Sequence, residues 1–268
     1  DNLRFAATLN LGGAAPVAAL RVAAMAVATG SANYVLVPGG WNGFSGARTR
    51  EIAATDINSI PGAAIARDYY LPYGLSAPPQ WYALMAQRHM HEYGTREEQL
   101  GAVALAMRKH AQLNPNALMR GKPMTMSDYL ASPMITSPYR LLDCCLETDG
   151  AAAYIVTSTA RARDLRQRPI YIMGVVGRVT KARGDTFYND APITAVAGKY
   201  AAPRVFGMAG VTPEDIHLTG SYDAFTFTTM LQLEDYGFCK KGEGGHYVSD
   251  GTIKLGGRRP NNTSGGHL

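Results

Sequence analysis

This 268-residue chain has few cysteines, no long apolar run and little excess charge of one sign. Its three cysteines (Cys144, Cys145 and Cys239) cannot form a disulfide framework, because two are adjacent and the third has no spaced partner. A reducing, cytoplasmic environment is therefore expected. No run approaches the roughly 18 apolar residues that a membrane span requires. The net charge of +5 suits a multiply phosphorylated small ligand as well as it suits nucleic acid, and we expect neither nucleic acid nor a membrane as a partner.

Motifs of common cofactor and metal sites are also missing. No GxxxxGK[ST] phosphate loop and no GxSxG nucleophile elbow occurs, which argues against nucleotide hydrolysis and against an α/β-hydrolase. His89 and His91 are two residues apart on a predicted helix and point to different faces, so they are not expected to bind one metal ion. The glycine-rich stretch 242–257 follows a helix rather than a strand, and it is predicted to be an irregular loop. Neither a metal nor a cofactor is predicted.

Hydrophobic periodicity indicates an α/β protein. A strand, a turn and a helix follow one another in "RFAATLNLGGAAPVAAL" and again in "IHLTGSYDAFTFTTML", which predicts two similar halves. The stretches "NYVLVPGG", "DGAAAYIVTS" and "PIYIMGVVGRV" are predicted to be further strands, the first of them buried.

The composition changes between Trp41 and about Arg140, where Gly, Pro and Tyr are frequent. Two helices are predicted in this region. The second begins at Thr95, where "TREE" has the pattern of a capping box closed by Glu98. This region is interpreted as an insertion between two sheet elements.

Tyr222 and Asp223 lie in a predicted turn between a strand and a helix, a place where ligands usually bind in open α/β sheets. Two interpretations of Asp223 remain open, because it can either cap the following helix or take part directly in chemistry. Tyr222 is either a buried tyrosine with a satisfied hydroxyl group or a proton donor. Its expected position near a helix N-terminus would ease formation of the phenolate.

Several separated stretches together resemble the sterol-carrier-protein-x branch of the thiolase superfamily: "RHMHEYGTREEQL", "LLDCCLETDGAAAYIVTS", "GSYDAFTF", "YGFCKKGEGG" and "NTSGGHL". The resemblance covers nearly the whole chain. It implies the thiolase fold, with two similar halves in a five-layered αβαβα arrangement and an inserted loop domain. It also implies that the chain ends at Asp1 and Leu268 are truncations.

The implied domain division follows from this fold. Residues 1–40 and 146–165 are assigned to the first thiolase half, residues 41–145 to the inserted loop domain, and residues 166–268 to the second half.

The chain departs from the thiolase pattern at the nucleophile. Thiolases carry a cysteine in a turn that corresponds to "NLGGAAP", and Gly13 stands at the cysteine position. Covalent acyl transfer through a thiolate is therefore excluded at this turn. We expect substrate to fill the space that a cysteine side chain would occupy. In "NTSGGHL", Gly265 and Gly266 are assigned with Gly13 to substrate binding, and His267 does not correspond to the thiolase histidine.

Among thiolase-like proteins, the steroid side-chain aldolases resemble this pattern most. The resemblance implies retro-aldol cleavage of a branched 3-hydroxyacyl-CoA into a ketone and a short acyl-CoA such as propionyl-CoA, with Tyr222 and Asp223 as the catalytic residues. A second acid-base tyrosine is expected beyond Leu268. Two alternatives remain: a non-catalytic acyl-CoA or lipid-binding homologue, and a thiolase-type acyltransferase.

Partners are implied by the resemblance alone. CoA enters as part of the substrate. A homodimer is expected through the segment "LRFAATLN", and a small OB-fold or zinc-ribbon protein is expected to complete a heterotetramer.

Overall fold

The computed structural model describes residues 3–9, 11–46, 66–176 and 192–268. Sequence predictions for residues 1–2, 10, 47–65 and 177–191 lie outside the described residues. The helices and strands are α1 (Ala15–Ala28), β1 (Tyr34–Asn42), α2 (Pro78–Tyr93), α3 (Glu97–Leu113), α4 (Met126–Ala131), β2 (Met134–Thr136), β3 (Tyr139–Arg140), β4 (Asp149–Thr157), α5 (Thr159–Ala162), α6 (Gly198–Ala209), α7 (Thr226–Asp235) and α8 (Gly244–Ser249).

Most of the hydrophobic core lies among helices α2, α3, α7 and α8. Eleven of the 17 residues of α3 are buried, so this helix lies at the centre of the cluster. Its Leu100 and Met107 belong to the same buried cluster as Phe227 and Leu231 of α7. Burying each of these side chains stabilises the fold by about 1.5–3 kcal/mol. Helix α7 is therefore held rigidly, and so is the turn that precedes it.

The strands β1 and β4 form an antiparallel pair in which Leu36 lies opposite Ile155. Successive side chains of a strand alternate between the two faces of the sheet. Val35 and Val156 accordingly pack against α1 on one face, while Leu36 and Ile155 are 61% and 63% exposed on the other. The prediction of a buried strand at 33–40 is correct for one face only.

The long segment between β1 and β4 begins and ends at neighbouring points, because Asn42 lies opposite Asp149. An insertion between two paired strands has this arrangement. The predicted boundaries of the insertion and of the two halves remain predictions.

Three predicted strands are absent from the described residues. Residues 3–9 and 169–176 have no regular structure, and the stretch 216–220 forms only a single bridge between Thr219 and Asn261. A strand is stable only when a neighbouring strand pairs with its backbone, and the described residues offer none to these segments. The prediction of an irregular loop at 242–257 is wrong for Gly244–Ser249, since these residues form α8.

The start of α3 also differs from its prediction. The helix begins at Glu97, and the side chain of Gln99, not of Glu98, accepts the backbone N–H of Arg96 at 2.9 Å. The Thr95 hydroxyl group lies 2.8 Å from Nδ1 of the buried His89. A buried ring nitrogen requires a hydrogen-bond partner, and this requirement takes the hydroxyl group away from the helix end.

A buried carboxylate connects the helices of the core. Glu234 of α7 lies 3.1 Å from Nε2 of His89 on α2 and 3.0 Å from Nζ of Lys241. It also accepts the backbone N–H groups of Gly242 and Gly244 at 3.0 and 2.9 Å. Burial alone would raise the pKa of Glu234, but His89 and Lys241 outweigh this effect and hold it below its ordinary value. His89 is buried and His91 is exposed, so the two histidines point to different faces of α2, as predicted.

We predict that Glu234→Gln lowers the free energy of unfolding by about 3–5 kcal/mol at neutral pH. The change removes the negative charge that faces His89 and Lys241 in the core. The folded-state pKa of Glu234 is depressed, so its stabilisation is present above the ordinary value of 4.5 and is lost as the pH falls below it. The difference between wild type and variant should therefore shrink in acid. Urea titrations across pH measure both effects, with the exposed Glu214→Gln as control; equal losses in the two variants would contradict the prediction.

Candidate active site

The turn that carries Tyr222 is fixed from both ends. Before the turn, the N–H of Thr219 donates to the Pro260 carbonyl group at 3.0 Å. After it, α7 begins at Thr226 with Phe225 as its N-cap residue. The interpretation of Asp223 as the helix cap is therefore wrong, because the helix begins three residues later and the Phe225 N–H is accepted by the Thr228 hydroxyl oxygen at 3.2 Å.

The ring of Tyr222 lies directly against Gly13. A Cβ atom at position 13 would come within 2.9 Å of the ring atoms Cε1, Cζ and Cε2 of Tyr222, closer than real Cβ contacts. The space that a side chain at position 13 would need is therefore filled by the tyrosine ring. The expectation that substrate fills this space is wrong. What the structure brings together are the two turns predicted from the sequence, one before α1 and one before α7.

The Asp223 carboxylate is fully buried beneath this turn. Its Oδ2 accepts the backbone N–H of His267 at 2.9 Å, whereas Oδ1 has no hydrogen-bond partner among the described residues. Burial raises the pKa of Asp223, against the opposing effect of the bond from His267. Gly266 is required beside it, since a Cβ atom there would overlap Oδ2. Asp223 therefore orders the segment that leads to His267.

The phenol of Tyr222 is held in its neutral form. Burial raises the pKa of Tyr222, and the negative forms of Cys145 and Asp223 raise it further. The ring stands edge-on to that of His267, with 5.8 Å between centroids. The expectation that a helix N-terminus would ease formation of the phenolate is wrong, because burial and adjacent acids act in the opposite direction. At neutral pH this hydroxyl group can donate a proton.

Four of the five predicted site residues lie together, and the fifth lies apart from them. The structure brings Gly13, Tyr222, Asp223 and Gly266 into one contact group. Gly265 packs instead against Ala111 of α3, where a Cβ atom would come within 2.8 Å of the alanine Cβ. The catalytic and substrate-binding roles of these residues remain predictions.

Cys145 is a member of the site that the sequence did not reveal. Its backbone N–H donates to the Ala224 carbonyl group at 2.9 Å, which brings it beside the turn of Tyr222. Burial raises the pKa of the Cys145 thiol, and Asp223 adds to the effect. The thiol is thus kept protonated and is unsuited to be a nucleophile. The only sequence signal was its place just before a predicted strand, which does not predict a contact with a distant turn.

The chain is similar to a protein family and to several known proteins. Residues 181–268 match the family described as Thiolase C-terminal domain-like. The chain is 40% identical to the 17-hydroxy-3-oxo-4-pregnene-20-carboxyl-CoA lyase of Mycobacterium tuberculosis, with 99% of this chain and 69% of the relative covered. It is 39% identical to a steroid side-chain-cleaving aldolase of Thermomonospora curvata, with 99% of this chain and 68% of the relative covered.

The chain belongs to the thiolase superfamily. Among solved structures it superimposes on the Ltp2-ChsH2(DUF35) aldolase with a TM-score of 0.87 at 39% identity, with 96% of this chain and 65% of that chain covered. The chain thus spans about two thirds of the length of each of these proteins. The predicted thiolase fold and the predicted place among carbon-carbon lyases of that fold are confirmed.

In the described ranges no group of three or more His, Cys, Asp and Glu side chains is arranged to hold a metal ion. Within the same ranges no helix has the length and apolarity needed to cross a membrane.

We predict that Gly13→Ala displaces the Tyr222 ring and lowers turnover by about 100-fold, as misplacement of a catalytic group commonly does. The melting temperature should change little, because the displaced atoms are the free end of a side chain and position 13 has an ordinary negative φ. Steady-state kinetics and thermal unfolding measure the two effects. Gly39→Ala serves as control, since a Cβ atom there meets nothing within 4 Å. Full turnover in Gly13→Ala would show that the ring position does not matter.

Proposed function

We propose that this chain forms part of an aldolase that cleaves a branched 3-hydroxyacyl-CoA carrying a steroid ring system, without a covalent intermediate. The observation that carries the proposal is the contact of the Tyr222 ring with Gly13, the position that the family resemblance assigns to the thiolase nucleophile. The similarity to the lyase of Mycobacterium tuberculosis supports a 17-hydroxy steroid CoA thioester as the substrate class.

The reaction is a retro-aldol cleavage. The hydroxyl group at C3 loses its proton, the bond between C2 and C3 breaks, and C3 becomes the carbonyl carbon of a ketone. The electron pair of the broken bond passes into the thioester enolate. A proton then adds to C2, which releases a short acyl-CoA such as propionyl-CoA. One proton leaves the substrate and one returns, so that the reaction needs no cofactor.

Tyr222 has the properties of the acid in this sequence. Its neutral phenol is favoured by burial and by the adjacent acids, and the residue is 45% exposed, so that a ligand can reach it. It donates a proton to the enolate or to the charge that develops there. Asp223 orients the site, because its Oδ2 holds the His267 N–H.

Assembly with other chains is part of the proposal. The name of the Ltp2-ChsH2(DUF35) aldolase joins two components, which supports a partner protein for this chain. We propose, from the family resemblance alone, that this partner is a small OB-fold or zinc-ribbon protein. A homodimer, cytoplasmic location and CoA as a component of the substrate complete the proposal.

Incubation of the complete protein with 17-hydroxy-3-oxo-4-pregnene-20-carboxyl-CoA, alone and with such a partner, tests the function. Mass spectrometry should detect a 17-ketosteroid and propionyl-CoA in equal amounts. Binding of the thioester without products would favour the non-catalytic homologue. An acyl-cysteine on the protein would favour the acyltransferase and contradict the proposal.

We predict that Tyr222→Phe lowers turnover by about 100-fold or more, because it removes the proton donor while the ring can keep its packing. Asp223→Asn should cost less, since the amide oxygen can still accept the His267 N–H. Steady-state kinetics ranks the two variants by kcat, and thermal unfolding checks that both are folded. An inactive Asp223→Asn beside an active Tyr222→Phe would reverse the roles assigned here.

A further inference from the structure

The position of the Tyr222 ring depends on the backbone that carries it. The residue is 45% exposed, and its ring lies against Gly13 and stands edge-on to His267. A side chain in this situation keeps its place only when the backbone that carries it is fixed. Hydrogen bonds to the main chain of Ser221 and Tyr222 therefore decide where the phenol stands.

Gln232 of α7 holds the main chain of Tyr222 on both sides. Its Oε1 accepts the Tyr222 N–H at 3.0 Å, and its Nε2 donates to the Tyr222 carbonyl group at 2.8 Å. The same Nε2 donates to the Thr228 carbonyl group one turn back in α7, also at 2.8 Å. All these bonds use the amide in one orientation, so the side chain transmits the rigidity of α7 to the turn.

Asn262 holds the preceding residue in the same way. Its Oδ1 accepts the Ser221 N–H at 2.9 Å, and its Nδ2 donates to the Ser221 carbonyl group at 3.0 Å. Asn262 has a φ of +45°, a conformation that asparagine tolerates better than most residues. Its own N–H donates to the Thr219 carbonyl group at 3.0 Å. Two amide side chains from different segments thus fix two consecutive residues of the turn.

We propose that Gln232 and Asn262 are positioning residues that hold the Tyr222 hydroxyl group at the reacting atoms. The inference rests on the proposed role of Tyr222. Each amide acts on the phenol through the backbone of the turn, to which its hydrogen bonds are made.

The chain contains a matched control for Gln232. Gln112 of α3 also donates from Nε2 to the carbonyl group one turn back, that of Arg108, at 3.0 Å. It also donates to the Met119 carbonyl group at 2.9 Å and accepts the Gly121 N–H at 2.9 Å. It therefore fixes a turn with the same kinds of bonds, to the backbone of Met119 and Gly121, but that turn carries no residue of the site.

The experiment compares Gln232→Met with Gln112→Met in the complete protein, with 17-hydroxy-3-oxo-4-pregnene-20-carboxyl-CoA as substrate. Both variants should lose similar amounts of melting temperature. Gln232→Met should lower kcat by about 10-fold or more with a small change in KM, since displacement of a catalytic group acts on the transition state. Gln112→Met should keep the wild-type kcat. Equal kcat values in the two variants at similar melting temperatures would overturn the inference.

A double-variant cycle separates the inference from the proposed function. In a Tyr222→Phe background, Gln232→Met should have little further effect on kcat, because the hydroxyl group through which it acts is gone. A full additional loss would overturn the positioning role. If Tyr222→Phe itself keeps wild-type kcat, the proposed function of Tyr222 fails instead.

If Gln232→Met does not fold, Gln232→Glu takes its place. Glutamate keeps an acceptor for the Tyr222 N–H but cannot donate to the Tyr222 carbonyl group at neutral pH, and it should lower kcat less than complete removal of the amide would. Asn262→Asp tests the second residue by the same logic. Wild-type kcat in both acidic variants would overturn the inference.

Discussion

The contact between Gly13 and the ring of Tyr222 is the constraint on which the site depends. The two residues come from turns far apart in the chain, one before α1 and one before α7. Close packing leaves no room for a side chain at position 13 while the Tyr222 ring lies against it. A cysteine at position 13 and the ring in this place exclude each other. A change at either of these positions therefore acts directly on the other.

Polar contacts around the segment 261–268 keep this arrangement in place. The Asp223 carboxylate holds the His267 N–H at one end. At the other end His110 of α3 lies 3.2 Å by Nδ1 from the Asn262 carbonyl group, and its Nε2 accepts the Leu255 N–H at 3.0 Å. Because a backbone N–H can only donate, Nε2 carries no proton and Nδ1 donates. Burial lowers the pKa of His110, which favours this neutral form. The central helix thus supports the site through a fixed tautomer.

Much of the helical structure could be predicted from the sequence, because amphipathic periodicity and Gly stops are local signals. Helices α1, α2 and α7 were found in this way. The strands predicted from the stretches 3–9, 169–176 and 216–220 are absent from the described part of the chain, because a strand depends on a partner that local pattern does not reveal. The start of α3 shifted because the buried His89 requires the Thr95 hydroxyl group.

The contacts among the predicted site residues could not be predicted from the sequence, and the roles of these residues remain predictions. The motif at 219–227 pointed to Tyr222 and Asp223, and the departure at Gly13 pointed to a lost nucleophile. The predicted direction of the shift in the Tyr222 pKa is wrong. Burial raises this pKa, and so do Cys145 and Asp223, which only three-dimensional packing brings beside the ring. Gln232 and Asn262 could not be recognised either, because an amide that binds backbone has no sequence signature.

The raised pKa of Tyr222 fits cleavage through an enolate better than it fits activation of a nucleophile. Raising a pKa makes the phenol a weaker acid, which would be a disadvantage if the receiving group were weakly basic. A thioester enolate is far more basic than a phenolate, so proton transfer from Tyr222 to it remains favourable. In the proposed reaction the phenol stays protonated until an enolate forms and then gives it its proton. The same burial that raises the pKa of the Cys145 thiol, and so disfavours a thiolate at this turn, raises the pKa of Tyr222 and favours its neutral phenol.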